Sequence, residues 1–116
     1  MDIRDLSKIQ KHVFFCNGDA CTLKGSIETT KSIRAEIKKC GLHKHIHTTK
    51  TLCNSRCEDG PVIMVYPDNT WYKEMTPEVA ETFVQKHLIN NEVFENKLLY
   101  KAGSTSIYSN SVITIG

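Results

Sequence analysis

Apolar residues along this chain come in short runs separated by turn-forming residues, which is the pattern of a small mixed α/β domain. The run Lys11-His12-Val13-Phe14-Phe15-Cys16 is rich in β-formers and reads as a first strand, closed by the loop residues Asn17-Gly18-Asp19. Gly25-Ser26 then opens a helix, with Ser26 as N-cap and Glu28 in the first turn. Ile27, Ile33, Ile37 and Cys40 fall near one face of it, and Gly41 stops it as the C′ residue. His43 to Thr49 alternates around Ile46 and suggests a second, partly exposed strand. Pro61 to Tyr66 is the most apolar stretch and reads as a central strand. Pro67-Asp68-Asn69 turns the chain back into Thr70-Trp71-Tyr72 as an antiparallel partner. Thr76-Pro77-Glu78 starts a helix that buries Val79, Phe83, Val84 and Leu88 and runs to about Ile89. The order is strand–helix–strand followed by strand–strand–helix. It suits a thioredoxin-like domain and also other α/β sandwiches.

Size and charge narrow the classes. The 116 residues make one domain, with 40% hydrophobic and 24% charged residues, as in an ordinary globular protein. No apolar run reaches the roughly 18 residues of a membrane helix, so no membrane association is expected. The start MDIRDLSKIQKH has no apolar segment of a secretory signal, and the expected location is cytoplasmic. The net charge of +2 comes with Lys and Arg spread along the chain, so no nucleic-acid partner is expected. That charge is also too small to choose the sign of a protein partner.

The five cysteines carry the chemistry. An odd count without an export signal argues against a disulfide framework. Cys16 and Cys21 form a C-x4-C pair and Cys53 and Cys57 a C-x3-C pair, 31 residues apart, each in a loop beside a strand. Four converging thiolates need positive charge to offset their repulsion. Two ferric ions with bridging sulfides supply it, and so does Zn²⁺. Thioredoxin-type exchange is the weaker reading, because no C-x-x-C stands at a helix start. Cys40 falls on the apolar helix face, where a free cysteine acts as a small hydrophobe. His43, His45 and His47 would share one strand face; a solvated face is the better reading, although a Rieske-type site uses two such ligands.

The residues around these cysteines add a resemblance. Lys11 to Cys16, Cys21 and Lys24-Gly25-Ser26 resemble the opening of the thioredoxin-like [2Fe–2S] ferredoxins. Cys53 to Val62, Val65-Tyr66-Pro67-Asp68, Trp71-Tyr72 and Thr76-Pro77-Glu78 resemble their second half. The ligand layout is also similar to that of the small iron–sulfur subunit of respiratory NADH dehydrogenase. Across about residues 10 to 90, this resemblance implies a thioredoxin-like α/β fold with a four-stranded mixed sheet and covering helices. It implies one [2Fe–2S] cluster with Cys16, Cys21, Cys53 and Cys57 as cofactor-binding and iron-ligating residues. The implied function is one-electron transport by a ferredoxin: no enzyme, no catalytic residues, redox proteins as partners, and a homodimer as the form often seen in relatives. The alternative is a non-carrier cluster- or zinc-binding module, structural or sensing, within a larger redox complex. Residues 1–90 are expected to form the ferredoxin domain and 91–116 a C-terminal extension, as a short hairpin packed on it.

Arg56 lies inside the second ligand loop, where the family has a Leu-Gly-type sequence; its charge would raise the cluster's potential or meet an acidic partner, and an ordinary exposed loop arginine is an equal reading. Trp71 and Tyr72 are candidates for a docking surface or for the core. Pro61 stands where thioredoxin folds place a cis-proline, although most X–Pro bonds are trans.

Overall fold

The computed structural model describes residues 3–103, apart from the side chain of Cys57. Five strands form one mixed sheet: β1 (Lys11–Cys16), β2 (Ile46–Thr51), β3 (Ile63–Tyr66), β4 (Thr70–Tyr72) and β5 (Leu98–Lys101), in the order β2-β1-β3-β4-β5. β1 and β2 are parallel, with Val13 against Thr48, and the remaining pairs are antiparallel. The sequence suggests four strands; β5 is the fifth. It escapes detection because its four residues lie in an extension without a turn signal matching it to β4. The boundary expected at residue 90 thus precedes a segment whose described part joins the same sheet. The remainder of the expected hairpin, residues 104–116, lies outside the described residues.

The crossover between β1 and β2 contains α1 (Asp19–Leu23) and α2 (Ser26–Lys39). α2 ends in a Schellman motif: Leu42 N–H bonds the Ile37 carbonyl and Gly41 N–H the Lys38 carbonyl, each at 3.0 Å, with Gly41 at φ +73°. Its start differs from expectation. Gly25, at φ +97°, is the N-cap, and the Ser26 hydroxyl donates instead to Asn17 Oδ1 at 3.3 Å. The buried face also turns away from Ile27, which is 42% exposed, and uses Thr29 and Thr30. Their hydroxyls satisfy themselves on carbonyls, Thr29 on Met75 (2.6 Å) and Thr30 on Ser26 (2.8 Å), so both bury without a polar penalty. β2 starts at Ile46 rather than His43, because the chain leaving α2 is still turning, with His45 and Ile46 N–H both bonded to the Leu42 carbonyl.

The final helical segment opens as a 3-10 turn (Pro77–Val79), passes through α3 (Ala80–Phe83) and ends as a π-helical turn (Val84–Ile89). It and α2 cover one sheet face, where Val13, Phe15, Ile63, Val65 and Tyr72 meet Ile33, Ile37, Phe83, Val84 and Leu88. Strand alternation sends Phe14, Cys16, Met64, Tyr66 and Trp71 to the opposite face, where they join Val62 and Cys21 in a smaller cluster. The Gly60–Pro61 and Tyr66–Pro67 bonds are both cis. Of the two places open to Tyr72, a docking surface or the core, it takes the core and is fully buried.

A buried polar chain ties these layers together. Phe94 N–H donates to Tyr72 Oη (3.0 Å), the phenol to His87 Nδ1 (2.5 Å), and His87 Nε2–H to Asp68 (2.5 Å). Lys11 closes the chain on Asp68 at 2.7 Å. Burial pushes the Tyr72 phenol up to about 12, so it stays a donor. Burial also lowers the His87 pKa from its ordinary 6.5, with Asp68 opposing only in part. For Asp68 burial acts upward, but hydrogen bonds from Lys11 and His87 bring its carboxyl below the ordinary value of 3.8. The unfolded chain therefore takes up the His87 proton first, and stability falls as pH drops below 6.5, then further as Asp68 is protonated. Urea midpoints are expected to be lower at pH 5.5 than at pH 7.5. Tyr72→Phe, which leaves His87 Nδ1 and Phe94 N–H unpaired, is expected to cost about 1–3 kcal/mol in the same titration.

Candidate metal centre

The parallel β1–β2 pair delivers both cysteine loops to one end of the sheet. β1 ends at Cys16, whose N–H bonds the Val62 carbonyl at 3.1 Å, and Asn17 N–H holds the end of β2 through the Thr51 carbonyl at 2.9 Å. Gly18 then opens α1, which carries Cys21 inward; Cys16 and Cys21 are both buried, in one cluster with Val62 and Met64. This helical turn replaces the loop expected after Asn17. Five residues are too few to show a period, and Asp19 in the first turn was the only available signal.

From β2, Leu52 offers its carbonyl to the Cys16 thiol at 3.5 Å, and the exposed Cys53 accepts Ser55 N–H at 3.3 Å. The two loops meet at Gly18. A Cβ there would lie 2.8 Å from Cys53 Cα and 2.9 Å from its Cβ, so only glycine permits this approach. Asn54 is fastened to the Thr51 hydroxyl (2.7 Å) and the Leu52 carbonyl (3.0 Å). Cys57 begins a 3-10 turn, Cys57–Asp59. The structure thus brings Cys16 and Cys21 together by their side chains and Cys53 to them by its backbone. Among the described residues, no three His, Cys, Asp or Glu side chains gather into a metal-holding group.

The donors suit a thiolate-bound metal. Burial pushes the Cys16 thiol up, yet hydrogen bonds from the Asn54 side chain, the Gly18 backbone and Cys21 outweigh it and leave the thiol below its ordinary value of 9.0. A pocket of N–H donors around sulfur is what a thiolate ligand requires.

The other candidates sit elsewhere. Arg56 pairs with the buried Asp59 through Nη2 (2.6 Å) and Nε (2.9 Å) and so braces the Cys57–Asp59 turn. Cys40 lies at the far end of α2, between Glu36 and Gln85, each 3.7 Å from its sulfur; burial and then Glu36 raise its pKa. His43 and His45 precede β2, and His47 alone occupies the strand, stacked edge-on against His12. The expected three-histidine face therefore does not form. Sequence reasoning missed Asn54, whose polarity between two cysteines was the available signal, and Gly18, whose need is visible only once the loops touch.

No helix among the described residues is long and apolar enough to cross a membrane. The family model of the thioredoxin-like [2Fe-2S] ferredoxins matches residues 3–88. A relative from Priestia megaterium is 40% identical over 97 residues, 84% of this chain and 76% of its own. A 2Fe-2S ferredoxin from Clostridium pasteurianum is 31% identical over 90 residues, 71% of this chain and 88% of its own. The structure of a thioredoxin-like [2Fe-2S] ferredoxin from Aquifex aeolicus superposes with a TM-score of 0.79 at 31% identity, covering 86% of this chain and 99% of that one. The chain belongs to the thioredoxin-like [2Fe–2S] ferredoxin family.

Proposed function

We propose that this protein is a one-electron carrier of the cytoplasm, with a single [2Fe–2S] cluster held by Cys16, Cys21, Cys53 and Cys57, passing electrons between redox proteins without enzymatic activity of its own. The observation that carries the reading is the burial of Cys16 and Cys21 in one cluster, directly beside the Gly18–Cys53 backbone junction. When bound, the cluster supplies one-electron redox chemistry at iron. The chain's own residues do the rest. Hydrogen bonds from Asn54 and Gly18 stabilise Cys16 as the thiolate that a ligand must be. Val62 and Met64 shield the first pair from water, whereas the exposed Cys53 leaves the second loop open toward a partner. Residues 1–90 contain all four proposed ligands, and 91–116 add the edge strand but no ligand. Pairing of two copies belongs to the same proposal, since Phe14, Tyr66 and Trp71 stay half-exposed together on one sheet face.

Anaerobically purified protein is expected to hold two irons and two acid-labile sulfides per chain, and dithionite to give one unpaired electron per cluster by low-temperature EPR. Its potential is expected near the plant-type value of about −400 mV rather than in the Rieske range. One zinc per chain without sulfide would replace the carrier by a structural module. Cys53→Ala is expected to lose the iron, and Cys40→Ala to keep it at a stability cost of about 0.5–3 kcal/mol. Gly18→Ala, by pushing the Cys53 backbone away, is expected to lower iron content and shorten the half-life of the visible absorbance in air. Light scattering is expected to give twice the chain mass of 13.2 kDa.

A further inference from the structure

Two of the most exposed leucines in the described chain flank the cysteine loops. Leu23 (88% exposed) closes α1, just beyond Cys21, and Leu52 (83%) directly precedes Cys53. A lone exposed leucine is ordinary, but here two lie on either side of a proposed redox centre, and the middle of a protein interface is apolar. Ile27, on the first turn of α2, extends it.

Charge is distributed unevenly about this patch. Asp19, Glu28, Glu58 and Glu78 are exposed at the cysteine end of the fold. Of the cations there, Arg56 is bound to Asp59, Lys24 reaches the Glu58 carbonyl at 3.5 Å, and Lys50 stands near the end of β2. Lys73 and Lys97, where β4 ends and β5 begins, stand next in the chain to Glu74 and close to Glu95. The opposite pole is basic. Two adjoining hollows of about 560 and 370 Å³ share Arg4 and His43 and are lined by Lys8, Lys44, Arg34 and Lys38, with Asp5 as an acid among them. The Arg4 guanidinium, bonded to the His43 carbonyl, is fixed between them. The net charge of +2 therefore conceals a polar molecule with its basic end directed away from the cysteines.

We propose that a redox protein docks on the cysteine end through Leu23 and Leu52, and that its surface there is apolar at the centre and rimmed by Lys or Arg. This rests on the carrier reading and names the partner chemistry of that site. An approaching basic surface is turned toward the cysteines by the charge distribution, and the leucines retain it once charges are screened. An acidic surface is drawn to the wrong pole.

The probe is oxidised cytochrome c, a basic haem protein. In stopped flow the dithionite-reduced holoprotein gives one electron to the ferric haem, with no proton or atom transferred. The second-order rate is expected to fall several-fold as salt rises from about 10 to about 200 mM. Reduction of ferricyanide, a small anion, should not fall. Glu28→Gln with Glu58→Gln should flatten the cytochrome c salt dependence. Leu23→Ser with Leu52→Ser should slow the cytochrome c reaction several-fold at high salt and leave ferricyanide unchanged. Leu6→Ser, which removes another exposed leucine (75%), should match the wild type. Independently, ¹⁵N amide shifts induced by cytochrome c should gather on α1 and the first turn of α2, not at Arg4, Lys38 and Lys44. Wild-type rates in the leucine pair, a cytochrome c rate that does not fall with salt, or shifts at the basic pole would overturn the docking surface. Iron content and the EPR signal of each sample separate that failure from failure of the carrier reading, which is shown only by protein lacking a reducible cluster.

Discussion

The approach of Gly18 to the backbone of Cys53 is the constraint on which the site depends. With 2.8 Å between the place of a Cβ and Cys53 Cα, no side chain can stand there, and the two cysteine loops are joined by backbone packing alone. The parallel pairing of β1 and β2 makes the approach possible, because it ends both strands at one edge of the sheet. The α1–α2 crossover between them is needed for any parallel pair. The site is thus a consequence of sheet topology first and of cysteine chemistry second.

The polar chain from Phe94 through Tyr72, His87 and Asp68 to Lys11 serves the same end from inside the fold. Its groups come from β1, β4, the β3–β4 turn, the final helical segment and the approach to β5. A fully satisfied buried chain of this kind allows few alternative packings, since shifting any element would strand a buried donor or acceptor. β1 is therefore held at its start by Lys11 and carries Cys16 at its other end.

Much of this was legible in the residues, and the gaps have physical causes. The apolar runs placed β1, β3 and β4, and Gly41 marked the end of α2, because burial and backbone chirality act through local sequence. Two things concealed α1 and the true face of α2. A five-residue helix has no period, and threonines that bond backbone carbonyls can bury as well as isoleucine does. β5 lay beyond the matched pattern, with its pairing decided by β4 rather than by its own four residues. At the site, spacing grouped the cysteines. It could not show that Arg56 would be bound to Asp59, or that Asn54 would help hold the Cys16 thiol, since both depend on how the second loop folds back. His87 was within reach: it follows Phe83 by one helical turn and so lies on the buried face.

Net charge misled most simply, because it averages over a molecule whose ends differ. α2 spans much of the distance between them, with Glu28 in its first turn and Lys38 and Lys39 in its last. That placement complements the helix dipole and needs no functional cause. The same helix starts beside the first cysteine pair, so a local preference for acids at helix starts also places a carboxylate near the proposed redox centre. The basic pole has further contributors outside the helix, Arg4, Lys8 and Lys44, which the dipole does not explain. A charge pattern that helix stability accounts for only in part leaves its remainder to orient encounters, and a centre near one end of a small protein is where orientation has the greatest effect on electron transfer.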